Sequence, residues 1–391
     1  MRASVLFGLI LVGCGPAVGS SVRKPSPVPG AAAAGERPIA TPAAPPGCKV
    51  ALRTVSLPGR GGARPSLAQA SGAYAVVWEE TAEDHRGVHF QALDGEARPL
   101  GPSVEVADLE RGGAEPKVVA DGDGFAIVWT IDEPDTSLIA FRRVDAHGRP
   151  RGDVITAVSS PHARALALAK VEGGFALGWW SWSGTPPSEN LTWLDADGRP
   201  HGRAVRVSTG LLVDPEMDLR AVEGAGDKHN PEVRAAWIEA VNGDDHVLDG
   251  VISRTAVSGK VDLGPGDRPA LVSGGVLFAN PTDASVWLAP VDGAQPPERV
   301  TDGQMPAAAD SRLCLYRTVT EQQRANDELH CMGLDGARPV DPVRVAVAPG
   351  GVLTLALAAP ESSSGFGVVF QTEAGDTMKV VFAAVECANK K

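Results

Sequence analysis

The sequence predicts an all-β fold, a seven-bladed β-propeller of four-stranded blades with the last blade completed by an N-terminal strand. Three observations lead there. A module returns about every 50 residues, a period typical of propellers and related arrays. The second strand of each copy ends on a large ring, at Trp78, Trp129, Trp179, Trp237, Phe278, Tyr316 and Phe370. The last copy supplies only three strands, while a strand-like Lys49-Val-Ala-Leu-Arg-Thr-Val-Ser56 precedes the first complete copy.

The second copy shows the elements in order. It opens with Arg111-Gly-Gly-Ala-Glu-Pro116, which repeats Arg60-Gly-Gly-Ala-Arg-Pro65 in the same register as the two Trp residues. Lys117-Val-Val-Ala120 is the inner strand and Phe125-Ala-Ile-Val-Trp129 the second. Leu138–Val144 is the third strand and Asp153–Val158 the fourth. Alternation and flanking turn residues mark each one. The turn before the fourth strand recurs as Leu93-Asp-Gly95, Ala146-His-Gly148, Ala196-Asp-Gly198, Val257-Ser-Gly259, Val291-Asp-Gly293 and Leu334-Asp-Gly336. Tight hairpins need φ > 0 there, which Gly supplies. Asp195-Ala-Asp-Gly198 therefore reads as a turn rather than a metal site, because its siblings lack the acids. The large rings read as wedges between neighbouring sheets.

The ends decide how the ring closes. Lys49–Ser56 precedes Arg60-Gly-Gly-Ala as Pro102-Ser-Val-Glu-Val-Ala107 precedes Arg111-Gly-Gly-Ala, so it holds a fourth strand's place. Supplying that strand to the last blade removes an open edge and leads us to expect a monomer. Four of the five cysteines follow this plan. Cys48 begins the N-terminal strand and Cys387 ends the last one; Cys314 and Cys331 flank one hairpin loop of the sixth copy. Four cysteines allow three connectivities, and only Cys48–Cys387 with Cys314–Cys331 agrees with the blades. Such bonds fit an oxidising compartment. The first would close nearly the whole chain, worth roughly 4–5 kcal/mol by loop-closure entropy.

The N-terminus carries an address. Met1-Arg2 and the apolar Val5–Val12 stretch read as a signal peptide over residues 1–13, too short to span a bilayer. Residues 14–47 are Pro/Ala/Gly-rich and read as a disordered tether. The propeller is placed at 48–387 and a short tail at 388–391. The formal net charge of −12 argues against a nucleic-acid partner, which needs a basic stripe.

Two resemblances follow. Leu11-Val12-Gly13-Cys14 resembles a bacterial lipobox. That likeness implies diacylglycerol on Cys14, a membrane partner through the lipid, and the cell envelope as the location. Gly15 in place of a retention Asp favours the outer membrane. Gly173-Gly-Phe-Ala-Leu-Gly-Trp179 with Asp195-Ala-Asp-Gly-Arg-Pro-His-Gly202 resembles a propeller-like repeat of exported bacterial proteins. Gly124–Trp129 with Asp145-Ala-His-Gly-Arg-Pro-Arg-Gly152 is similar. That family implies a fold and transfers no catalytic residue.

For function, the loops after the second strands are the variable part, and all project from one face. The candidate binding residues are Glu80, Asp84, Asp132, Asp135, Asp244, Asp245 and Glu373, together with Trp182 in the Trp-bearing loop Ser181–Pro187. The acids form a negative rim, or simply a polar surface on an acidic chain. His85, His162 and His246 lie in different copies without zinc-ligand spacing. There is no Gly-x-Ser-x-Gly elbow and no phosphate-binding loop, so no catalytic residue, metal or cofactor is assigned. The expected function is a lipid-anchored envelope scaffold that binds a protein or glycan. The alternatives are an exported hydrolase or lyase acting on polysaccharide, and a structural part of envelope assembly.

Overall fold

The computed structural model describes residues 39–388 apart from 45, 83–84, 108–111, 183–185, 210–214, 223–230, 292, 294, 322–323 and 360–364. The chain divides into Met1–Gly35 and Glu36–Lys391, and the described residues belong to the second unit. Among the described residues the strands form seven four-stranded antiparallel sheets, and no helix is long and apolar enough to cross a membrane. The fold is a seven-bladed β-propeller.

The inner strands are Gly61–Ala70, Ala114–Asp121, Arg164–Val171, Met217–Ala221, Asp267–Val272, Gln304–Ala309 and Val352–Ala358. Within blades one to six the sheet order follows the chain order from the inner strand outward. Blade seven is different: Cys48–Thr54 pairs antiparallel with Thr377–Cys387, from Cys48 opposite Cys387 to Thr54 opposite Val381. The N-terminal strand therefore completes the last blade. Cys48–Cys387 and Cys314–Cys331 are both bonded, at Cα separations of 4.0 and 4.1 Å. The chain engages the ring before that strand, since Ala40 and Val347 exchange backbone hydrogen bonds of 3.2 and 3.1 Å. The last residues of the Pro/Ala-rich stretch thus lie against the outer strand of blade six.

Burial explains the repeat. Each wedge ring packs against the sheet before its own. Trp78 meets Val369, Val380 and Phe382 of blade seven. Trp129 meets Val88 and Phe90 of blade one, and Trp237 meets Leu191 and Trp193 of blade three. In blade six the expectation shifts by one residue. Leu315 is fully buried at the wedge position, whereas Tyr316 is one step along the strand and donates its hydroxyl to Gln304 at 2.7 Å. A strand alternates its faces, so a one-residue offset reverses the side chain.

The Asp-x-x-Gly turns have a compact cause. Oδ1 of Asp145 accepts from the backbone N–H of His147 and Arg149 at 2.8 and 2.9 Å. Oδ1 of Asp195 does the same for Asp197 and Arg199. Gly198 adopts φ +86°, and a Cβ there would lie 2.0 Å from the Phe141 ring of the preceding blade. The turn glycine serves both backbone angle and blade packing. In blade four the turn falls at 253–256, and Ser258-Gly259 lies inside the fourth strand Val257–Pro265, displaced from its expected place.

The two disulfides close loops of very different length, with sequence separations of 339 and 17. Replacing Cys48 and Cys387 by Ser is expected to cost about 5 kcal/mol, against about 3 for the Cys314/Cys331 pair. Denaturant unfolding of the two double variants checks the order; equal losses would refute the closure account.

Candidate functional site at the channel mouth

Six of the seven inner strands break register near their start. The breaks fall between Ala63 and Ser66, Ala114 and Lys117, Ala165 and Ala167, Asp267 and Ala270, Gln304 and Ala307, and Val352 and Thr354. In four of them a non-glycine residue at positive φ stands before proline: Arg64 (47°), Glu115 (54°), Arg268 (54°) and Met305 (51°). Proline disfavours helical angles in its predecessor, and a left-handed non-glycine costs about 1–3 kcal/mol. The surroundings hold the strain in place. The bulged N–H of Arg64 donates to Gln371 Oε1 (3.0 Å) of blade seven, and that of Glu115 to Glu79 Oε2 (3.4 Å) of blade one. Ala165 donates to Thr130 Oγ1 (3.2 Å), and Arg268 to Glu216 Oε2 (2.7 Å). Four bulged N–H groups are thus caught by the preceding blade. A bulge of this kind re-aims a side chain, and here several side chains come together at the axis.

They line a cavity of about 700 Å³ built from all seven blades. Its charged wall comprises Arg64, Glu115, Lys117, Arg164, Glu216 and Arg268, and its apolar wall includes Met217, Met305, Leu353, Leu355, Trp180 and Trp182. Glu115 takes Arg64 Nη1 at 2.8 Å and Arg164 Nη1 at 2.7 Å. Glu216 takes Arg268 Nη1 at 2.6 Å. Lys117 is half-buried and forms no ion pair among the described residues. Burial pushes its ammonium below the ordinary lysine value, and Glu115 and Glu216 partly offset that. Asp218 holds the equivalent inner-strand position in blade four. It accepts the backbone N–H of Leu271 at 2.7 Å and of Leu219 at 2.9 Å. Burial raises its carboxyl against those bonds.

Beside the mouth, Trp180 and Trp182 meet edge to face at 6.3 Å. Trp182 remains 48% exposed, and its backbone N–H donates to the Pro161 carbonyl at 3.3 Å. Glu189, opposite Trp180 in the next strand, is fully buried. Its Oε2 accepts from Ser208 Oγ at 2.6 Å, while its Oε1 has no partner among the described residues. Burial pushes its pKa up to about 8, with Glu239 and Glu216 adding to the rise. Glu189 does not line the cavity.

The residues singled out from sequence divide sharply. Trp182 joins the cavity wall. Asp132, Asp135, Asp244, Asp245 and Glu373 are exposed and outside it. Asp84 lies outside the described residues, as does Cys14. Glu80 is not a rim residue: it is fully buried. Its carboxylate accepts from Trp78 Nε1 (3.1 Å), Arg60 Nη1 (3.1 Å) and the Leu57 N–H (3.4 Å). Those bonds pin the link between blade seven's outer strand and blade one. His89, stacked on Trp78 at 5.6 Å, is held toward its neutral form by burial. His246 Nδ1 sits 2.9 Å from Asp262 Oδ1. Among the described residues no group of three or more His, Cys, Asp or Glu is placed to hold a metal. The mouth cations and Glu115 were not singled out from sequence. The available signal was the exchange of Arg64 for Glu115 at one repeat position.

No family model matches the chain, and no curated protein does. Among solved structures, it is similar to the N10 neuraminidase-like protein of A/little yellow-shouldered bat/Guatemala/060/2010. That likeness has 12% identity and a TM-score of 0.46, covering 88% of this chain and 100% of the other. Trypanosoma rangeli sialidase has 11% identity and a TM-score of 0.49, covering 87% of this chain and 60% of the sialidase. A chain of a nidogen/laminin complex has 12% identity and a TM-score of 0.42, covering 69% and 93%. Likenesses this remote transfer no activity.

Two outcomes follow from these contacts. Glu80→Ala should cost about 2–4 kcal/mol by stranding Arg60 and the Trp78 N–H, whereas Asp135→Ala should stay within about 0.5 kcal/mol. Urea unfolding decides, and equal effects would sink the buried-clasp assignment. For Glu189 the folded pKa of about 8 exceeds the ordinary value of 4.5, so the folded state holds the proton longer. The ionisation-linked penalty is absent below 4.5 and grows as pH rises to about 8. The melting temperature of Glu189→Gln should therefore gain on the parent between about pH 5 and about pH 8. A pH-independent difference would show that Glu189 ionises normally.

Proposed function

We propose that this protein is a lipid-anchored envelope propeller that binds its ligand in the channel mouth. One observation carries the reading: the cavity on the ring axis, where paired charges, one unpaired ammonium and an exposed indole meet. Its volume falls within the range of small-ligand sites, about 300–1,000 Å³. Lipobox-like Leu11–Cys14 and the two disulfides support the envelope location.

Binding without turnover is favoured over hydrolysis or elimination by the state of the carboxylates. Glu115 and Glu216 are both held by arginines, at 2.6–2.8 Å, so each already has a fixed partner within the protein. Glu189, the carboxyl kept protonated near neutral pH, is not part of the cavity wall. A general acid on a polysaccharide must reach the leaving oxygen.

Two experiments test the parts separately. Cys14→Ser should move the protein from the membrane to the soluble fraction; unchanged membrane association refutes the anchor. On a glycan array, the parent and an Asp132→Ala/Asp135→Ala variant should bind alike, and Arg164→Ala/Trp182→Ala should not. Turnover of a bound polysaccharide, lost in Glu115→Gln, would replace the scaffold reading with an enzyme.

A further inference from the structure

The charges of the mouth oppose those of the chain. Formal net charge is −12 overall, yet the cavity wall carries four cations, Arg64, Lys117, Arg164 and Arg268, and two carboxylates, Glu115 and Glu216. The carboxylates are committed to the arginines, at 2.6–2.8 Å. Lys117 is left without an ion pair among the described residues. A cation partly withdrawn from water is costly unless a counter-charge meets it.

The same cavity holds further unmet capacity. Trp180 buries its indole N–H, and Glu115 buries Oε2, with no partner for either among the described residues. Trp182 presents a half-exposed indole set by its edge contact with Trp180. The wall of one concave site thus combines an unmet donor and an unmet acceptor, both buried, with a flat apolar ring and an ammonium. Saccharides match that set: hydroxyls for the donor and acceptor, and an apolar C–H face for the indole. A neutral sugar would leave Lys117 uncompensated.

We propose that the channel mouth binds an acidic saccharide, stacked on Trp182, whose anionic group pairs with Lys117. This rests on the mouth being the binding site and adds the ligand's chemistry. The anion is a carboxylate or a phosphate on the sugar; both offer oxygens to an ammonium.

The probes are an oligogalacturonate, its methyl ester and a phosphorylated oligomannoside, titrated calorimetrically into the full chain. The oligogalacturonate or the phosphorylated oligomannoside should bind, and their order identifies the anion. If the carboxylate form binds, its methyl ester should bind about 10- to 100-fold more weakly. Lys117→Gln should impose a similar loss on the acid, and Lys117→Arg should restore most of it. Trp182→Ala should weaken acid and ester alike, by about 10-fold. Affinity of the acid should fall between about 50 and about 500 mM salt. Circular dichroism melts confirm that each variant is folded. An ester that binds as tightly as the acid, or a Lys117→Gln variant with parental affinity, overturns the acidic-ligand inference. The mouth reading survives that result if Trp182→Ala still weakens binding. Saccharide binding indifferent to both Lys117 and Trp182 overturns both. Failure to bind any of the three probes overturns the inference alone, and the glycan array then judges the mouth.

Discussion

Ring closure is the constraint on which the rest of the structure depends. Seven residues, Cys48–Thr54, pair along Thr377–Cys387 and turn a three-stranded blade into a four-stranded one. Blade seven also has to receive blade one. Trp78 wedges against Val369, Val380 and Phe382, the bulged N–H of Arg64 reaches Gln371, and Val380 donates its N–H to Ser56 Oγ at 3.2 Å. These contacts join blade one to the blade that the N-terminal strand completes. The disulfide at Cys48–Cys387 shortens the unfolded chain's freedom between the same ends. Glu80 fastens the following link through Leu57 and Arg60. Closure is therefore a distributed device of pairing, packing, covalent bond and buried carboxylate.

The strain at the mouth makes sense within that frame. A residue at φ near +50° before proline is unfavourable in an isolated strand. In the ring, the preceding blade supplies an acceptor for the bulged N–H in four places. Inter-blade hydrogen bonding and local strain are thus coupled, and the mouth holds its shape because its neighbours are closed around it. Arg64 and Glu115 then meet at 2.8 Å, although they are far apart in the chain.

What was legible in the sequence was local and repeated. Ring residues, Gly turns and the N-terminal strand each announce themselves within a dozen positions, and the cysteines agreed with the same plan. Tyr316 misled because the sixth copy places Leu315 at the wedge and a neighbouring aromatic one step away. Glu80 misled because an acidic pair at a strand end looks like loop. Period-two alternation in fact puts Glu80 on the face of Trp78, whose indole N–H it accepts. The mouth was hidden for two reasons. The bulge breaks the alternation by which facing is read, and the residues converge only when seven blades close one ring. Trp182 could be seen because its loop carries an indole that no repeat position demands.

The relation between repeat and function follows from the bulge. The backbone device returns from blade to blade, with proline after the strained residue in four of them, but the residue itself changes: Arg64, Glu115, Arg268 and Met305. Position is dictated by folding and identity is left open by it, since at Arg64, Glu115 and Arg268 it is the backbone N–H that the preceding blade's side chain accepts, which asks nothing of the bulged residue's own side chain. The same holds one turn inward, where Lys117 and Asp218 occupy equivalent places with opposite charge. A closed propeller thus carries a ring of structurally equivalent, chemically free positions at its axis. In this chain those positions are filled with arginine, glutamate, lysine and methionine rather than small or uniform residues. Packing alone would not select partly desolvated charges for places where apolar residues would serve. The charged ligand proposed for the mouth would.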